Sequence, residues 1–226
     1  MMINSKVAVI IVNWKKYDIT SSCIESILNS TNSNFKIILV DNESDNKKVK
    51  NFKYRNEIKI IQNKKNEGFS KANNIGIDYA LKNNYDYTIL INNDTIVEKN
   101  LIEVLLKTAQ AKNFSVVQPL ILKYSGKEIW NAGGRINYFF GNFITRKKVG
   151  NSLNSSHELT EWLTGCCCLF KTKIFKEIGK LDESFFAYYE DVDFSLRLKK
   201  HGYKIGFTAK THLYHHGSFS STSNNS

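Results

Sequence analysis

Along the first hundred residues, unbroken apolar runs alternate with segments in which apolar residues recur every three or four positions. The runs are VAVIIV (Val7 to Val12), FKIILV (Phe35 to Val40), IKII (Ile58 to Ile61) and YTILI (Tyr87 to Ile91). Their length and β-branched content predict strands buried on both faces, as a parallel sheet requires. Between the first two runs, Ile19, Cys23, Ile24, Ile27 and Leu28 keep helical spacing. Ala72, Ile75, Tyr79 and Ala80 do so between the third and fourth, and Leu101, Leu105 and Ala109 after the fourth. Strand, helix, strand in this order predicts an α/β fold: a mostly parallel sheet with right-handed crossovers and flanking helices.

The second half is patterned differently. From Ser125 to Leu159 it is irregular and rich in Gly and Asn, with the aromatic block NYFFGNF, which suits long loops or a small antiparallel element. CCCLF then predicts a strand, followed by a helix from about Thr172 that Gly179 closes in a left-handed cap. A last helix is expected from Glu190 to Gly202, and the polar tail over residues 217–226 is expected to be disordered or an artificial end.

Composition narrows the class. With 226 residues and 42% hydrophobic content, the chain can bury one substantial core, so a single compact domain is expected. No apolar run approaches the roughly 18 residues of a membrane span. The start, MMINSK, lacks the apolar stretch of a secretory signal, so a cytoplasmic protein is expected, with any membrane contact peripheral. Cys166, Cys167 and Cys168 are adjacent and Cys23 is remote, which fits neither a disulfide framework nor a structural zinc site; they read as small buried residues. The net charge of +11 points to an anionic partner, and it equally fits a solvated lysine-rich surface.

Ligands of open α/β sheets bind beyond the carboxyl ends of the strands. The segments there are NWKKYD, DNESDN, QNKKNEGFSKANN and NNDT, all rich in Asp and Asn, which hydrogen-bond a base or ribose and ligate hard cations. Such residues also make ordinary turns, but four such loops converging on one edge favour a site. In NEGFSKANNIGI a glycine turn leads into a helix from about Ser70, whose free N–H groups suit a phosphate; the block is neither a dinucleotide fingerprint nor a P-loop. Asp94, just past a strand end, suits Mg2+ or Mn2+ between phosphate oxygens, or a simple turn. His212, His215 and His216 fit zinc poorly; one of them completing a divalent-ion site with Asp94 and three histidines on a surface loop both remain open. Glu190, Asp191 and Asp193 suit the positive end of a helix. Preceded by FFAYY, which could wall off water and present a flat face to a sugar, they equally suit a general base in a partly dry pocket.

Taken together, VIIVNWK, ILVDNESDN, NEGFSKANNIGI, LINNDTIV, the long block from GCCCLF to HGYKI, and HHGS resemble, in this order, the inverting, rhamnosyltransferase-like members of glycosyltransferase family two. The resemblance covers about Val7 to His216 and implies the GT-A fold. It divides residues 1–216 into a nucleotide-binding half, about 1–115, and an acceptor half, about 116–216. By position in the motifs, it implies that Asp41 binds the base or ribose, with Asn13 lining the same pocket. Asn66, Gly68 and Asn73 would contact the nucleotide. Asn92, Asn93 and Asp94 take the place of the D-x-D motif, Asp94 as its last carboxylate and Asn92 where the first would stand, so the motif offers a divalent metal (Mn2+ or Mg2+) one carboxylate. His215 matches a late histidine that reaches the metal. Asp191 matches the general base of an Glu–Asp pair, with Glu190 beside it.

The implied reaction moves one sugar from a UDP- or dTDP-sugar to a hydroxyl of a glycan or lipid-linked saccharide, with inversion. The Q-x-x-R-W motif of processive synthases is absent, which implies single transfers; members of the family often continue past the position of this C-terminus, where part of the acceptor site would then lie. The charge would suit a lipid-diphosphate acceptor at the inner membrane face. Among rivals, a sugar nucleotidyltransferase would need a glycine-rich phosphate loop after the first strand, where VNWKKYD has none. A nucleic-acid-binding protein would need clustered cations among aromatics, yet here aromatics precede carboxylates, and no nucleic-acid partner is expected. A non-catalytic sugar-binding module would have no need of both Asp94 and Asp191.

Overall fold

A computed structural model describes residues 5–217 apart from 33, 45, 127, 138, 140–141 and 149–156. The expected tail, beyond Gly217, and Tyr138, Phe140 and Gly141 of the aromatic block lie outside the described residues. In chain order the elements begin β1 (Val7–Asn13), α1 (Tyr17–Leu28), β2 (Phe35–Asn42), α2 (Asn46–Lys50), β3 (Lys59–Asn63), α3 (Gly68–Lys82), β4 (Tyr87–Asn92), β5 (Thr95–Val97) and α4 (Leu101–Ala111). They continue with β6 (Val116–Lys123), β7 (Ile129–Asn131), β8 (Gly134–Asn137), β9 (Asn142–Thr145), β10 (His157–Leu159), β11 (Cys167–Lys171), α5 (Ile174–Glu177), α6 (Glu190–Lys200) and β12 (Ile205–His215).

One sheet runs β10-β12-β6-β11-β4-β1-β2-β3, with β5 on β12 and β7 on β6; β8 and β9 form a separate antiparallel pair. The expected parallel core is β4-β1-β2-β3. Along β1 the side chains alternate: Val7, Val9 and Ile11 enter one apolar cluster with α1 and α4, and Ala8 and Ile10 enter the other with α3, Phe170 and Phe194. Strand β3 differs from expectation, since its residues are only partly buried; it is the sheet edge and has one strand neighbour. The helix expected from Thr172 is a single turn, Ile174–Glu177, before Gly179 at φ +83°.

β11 runs antiparallel to β4, Cys167 opposite Ile91, so the chain just before β11 returns to the carboxyl end of the parallel strands. β12 pairs in parallel with β6, Thr208 opposite Pro119, and resumes with His212 opposite Leu120. Ala209, Lys210 and Thr211 bulge out beside the proline, which has no N–H to give a ladder. The three histidines therefore do not share a surface loop: His212 and His215 belong to β12, and His215 is buried. Among the described residues, no helix is long and apolar enough to cross a membrane.

Candidate active site

The parallel strands end level with one another: Asn13 lies opposite Asp41, Asp41 opposite Gln62, and Val12 opposite Asn92. Asp41 and Asn13 are wholly buried there. Asp41 Oδ1 accepts from Asn13 Nδ2 at 2.9 Å and from the Tyr17 hydroxyl at 2.8 Å, while Oδ2 accepts from Ser44 N at 3.1 Å. Burial, then the bond to Asp41, push the Tyr17 phenol well above its ordinary range, so it keeps its proton to donate to Asp41. Asn13 Oδ1 takes the Thr20 hydroxyl at 2.8 Å, and Thr20 Oγ1 takes Asn93 Nδ2 at 2.9 Å. A polar chain thus links Asp41, Asn13, Thr20 and Asn93 across the ends of β2, β1 and β4.

Asp94 follows Asn93 and is buried against His215, whose Nε2 stands 3.2 Å from Asp94 Oδ1. Strand β5 brings this about: Thr95 pairs with His215, and His216 N donates to Asp94 O at 3.0 Å. Two buried atoms beside this corner lack hydrogen-bond partners, His215 Nδ1 and Asn92 Oδ1. Among the described residues no group of three His, Cys, Asp or Glu converges on a metal position. Asp94 and His215 nevertheless fit a divalent ion in type, because orphaned buried polar atoms signal a missing partner and a donor diphosphate and water can complete the shell.

The turn at residues 66–69 is shaped by Asn42. Asn42 Oδ1 accepts from Asn63 Nδ2 at 3.0 Å and Glu67 N at 3.0 Å, and Nδ2 donates to Asn66 Oδ1 at 2.7 Å and Gly68 O at 3.2 Å. Asn66 Oδ1 also accepts Gly68 N at 3.0 Å. α3 begins at Gly68, two residues before the expected Ser70. Gly68 has φ +80°, and a Cβ there would stand 2.6 Å from Phe186 O. Both the left-handed backbone and the close approach demand glycine. Phe69 N donates to that same carbonyl at 2.6 Å, so the turn rests on the aromatic segment before α6. Asn73 is buried with Nδ2 on Phe69 O at 3.0 Å, and Asn74 is tied to Leu181 by two hydrogen bonds.

The aromatic segment does not wall off water as expected: Phe186, Tyr188 and Tyr189 are 61%, 62% and 66% exposed. Tyr188 and Tyr189 hold φ of +72° and +70°, a left-handed pair that L residues adopt at a cost, and this bend turns Glu190 and Asp191 inward. The dryness comes from beneath. Phe69, Leu90, Leu163, Cys168, Phe170 and Leu181 surround a small apolar cavity that Glu190 and Asp191 also line. Asp191 Oδ2 accepts Gly165 N at 2.8 Å, and Oδ1 accepts Val192 N at 2.8 Å. Burial raises the Asp191 carboxyl above its ordinary value, and these two N–H groups pull the other way. Glu190 is 5% exposed, its Oε2 has no partner, and burial followed by the Asp191 charge pushes it up to about 7. The four cysteines are free and buried as expected, with their thiols raised by burial, Cys23 to about 12.

Tyr17, Thr20, Asn42 and Asn74 shape the site without a motif of their own. The polar doublets DN and NN gave a signal for the last two, since one member of each already stood out.

A family model described as "Glycosyl transferase family 2" matches residues 8–179. The chain is 27% identical over 202 residues to the low-salt glycan biosynthesis hexosyltransferase Agl10 of Haloferax volcanii, covering 88% of this chain and 63% of that protein. It is 23% identical over 224 residues to the rhamnosyltransferase WbbL of Escherichia coli strain K12, covering 93% of this chain and 83% of that one. The crystal structure of GalNAc-T7 with UDP, GalNAc and Mn2+ superimposes with a TM-score of 0.78 at 15% identity over 95% of this chain and 44% of that one. That likeness shows the fold, and the expected GT-A architecture stands. The chain spans less than two thirds of Agl10 and less than half of the GalNAc-T7 chain.

Proposed function

The chain belongs to glycosyl transferase family 2, and from that premise we propose that it transfers one sugar from a UDP- or dTDP-sugar to a hydroxyl of a glycan or lipid-linked saccharide, with inversion. Asp191 is the general base. The observation that carries this reading is a carboxylate desolvated at a helix start and held by two backbone N–H groups, with oxygen lone pairs to spare. Such a group takes a proton more readily than one in water. It receives the acceptor hydroxyl proton as that oxygen attacks the anomeric carbon from the face opposite the departing nucleoside diphosphate. Asn13, Asp41, Asn66, Gly68, Asn73 and Asn93 form the donor side, where the convergence of four strand ends supports a nucleotide pocket. A divalent cation held by Asp94 and His215 would neutralise charge on the leaving diphosphate.

The test is a thermal-shift screen of UDP-, dTDP- and GDP-sugars with and without Mn2+, followed by turnover of Asp191→Asn on the selected donor. The expected result is selective stabilisation of both proteins and loss of transfer in the variant alone. Near wild-type turnover by Asp191→Asn would remove Asp191 from the role of base.

A further inference from the structure

Glu190 is a buried ionisable group beside the base that the mechanism above leaves idle. The two neighbours are treated very differently by the fold. Asp191 has a backbone N–H on each oxygen, whereas Glu190, which lines the apolar cavity, has an Oε2 with no partner, and the backbone groups at Tyr188 and Glu190 only partly offset its burial. A Cβ on Gly165 would stand 3.2 Å from Glu190 Oε1 and 3.7 Å from Asp191 Oδ2, so both carboxyls pack on one stretch of backbone. Titratable side chains lining the cavity are Asp191 from α6 and Cys168 from β11, whose thiol is raised and therefore neutral. The lining from β4, α3 and the segments at 163–165 and 181 carries no ionisable group, and no lysine or arginine is among it. Two like charges in such a place are not both sustained, and the environment selects which carboxyl ionises.

We propose that Glu190 acts as a neutral carboxylic acid, a positioning residue that keeps its proton through turnover so that Asp191 bears the sole charge of the pair. The proposal rests on the reading of Asp191 as base. If Glu190 loses its proton, the least costly relief is for its side chain to leave the cavity for water. The first turn of α6 would move with it and draw Asp191 off the Gly165 N–H. Tyr189, at the N-cap, offers no side-chain cap, so the turn is held by Asp191 on Gly165 N and by Ser195 Oγ between Asp191 O and Leu163 N.

Burial raises the Glu190 carboxyl from 4.5 to about 7. The folded state then binds the proton more tightly than the unfolded state does. The associated stability is fully present below about pH 4.5 and is lost as pH rises through about 7.

The full chain is tested as wild type, Glu190→Gln and Asp191→Asn. Thermal melts from pH 5 to 9 should show the wild-type midpoint falling relative to Glu190→Gln as pH rises, and infrared spectra at about pH 6 should show a neutral carboxyl band lost in Glu190→Gln and kept in Asp191→Asn. On the donor chosen by the screen, Glu190→Gln should turn over more slowly, by less than about tenfold, and lack the wild-type decline above about pH 7. Loss of the infrared band in Asp191→Asn instead, or a melting difference that does not change with pH, overturns the proposal. Glu190→Met, similar in length and apolar, supplies the same melting comparison should Glu190→Gln not fold. Full turnover by Asp191→Asn would sink the base reading alone, because the melting and infrared arms report on Glu190 without substrate.

Discussion

Asp41 is a wholly buried and Asp191 a half-buried carboxylate at the strand-end edge of the molecule, and the fold treats them in opposite ways. Asp41 is met by three donors from three separate pieces of chain: Asn13 of β1, Tyr17 of α1 and the backbone at Ser44. Its charge is matched on folding. Asp191 is met by two backbone groups, one of them its immediate neighbour, and otherwise by apolar side chains and a second carboxyl. A fully satisfied anion gives rigidity, and an underprovided one stays ready to bind a proton. The same residue type is therefore a keystone at one position and, under the proposed mechanism, a reactive group at the other.

The contrast can be broken at either end. Asp191→Asn should lower kcat by about 10²–10⁴-fold while leaving the denaturation midpoint unchanged or raised, because it removes a desolvated charge. A matching loss of stability, read by urea titration, would erase the distinction. Asp41→Ala should behave the other way, losing about 3 kcal/mol or more of folding stability, since the Tyr17 hydroxyl, the Asn13 amide and the Ser44 N–H are left buried or part-buried without their acceptor. Asp94 is intermediate, paired with His215 alone among the described residues. Asp94→Ala should weaken Mn2+-dependent donor binding by about tenfold or more in a calorimetric titration, and an unchanged affinity would contradict its role at the cation. The smallest effect is expected from Tyr17→Phe, about 1–2 kcal/mol of stability from one hydrogen bond to a charged acceptor, with the core otherwise intact.

How legible all this is in the sequence depends on how each part is encoded. β1, β2 and β4 announce themselves because both faces are buried along unbroken apolar runs, VAVIIV, IILV and ILI. β6 and β12 go unnoticed for the converse reason: VVQPLILK contains a proline and IGFTAKTHLYH mixes polar residues into a strand, since the bulge lets them face outward or hydrogen-bond locally. For the same reason the sequence left the histidines open between a surface loop and a site with Asp94. Among the site residues, Asp94 and Asp191 stand out as charges just past a strand and at a helix start. Thr20 does not, and Asn42 and Asn74 show only as partners in polar doublets, because a hydroxyl or amide that organises a distant loop looks like any other until long-range pairing is known. The apolar bed of Glu190 is likewise hidden, being assembled from β4, β11, α3 and the chain at 163–165.

Pro119 is the only proline in the chain. Had β12 run past it without interruption, Ala209 would lie opposite Leu120 and, counting on, His212 would lie opposite Lys123, the place His215 holds. The imidazole next to Asp94 is thus chosen by a backbone nitrogen that cannot donate. Three skipped residues, an odd number, also reverse which side of the ribbon each later side chain occupies. Replacing this proline would therefore threaten which histidine of the neighbouring strand meets Asp94, so a residue with no chemistry of its own sets the frame in which that corner is read.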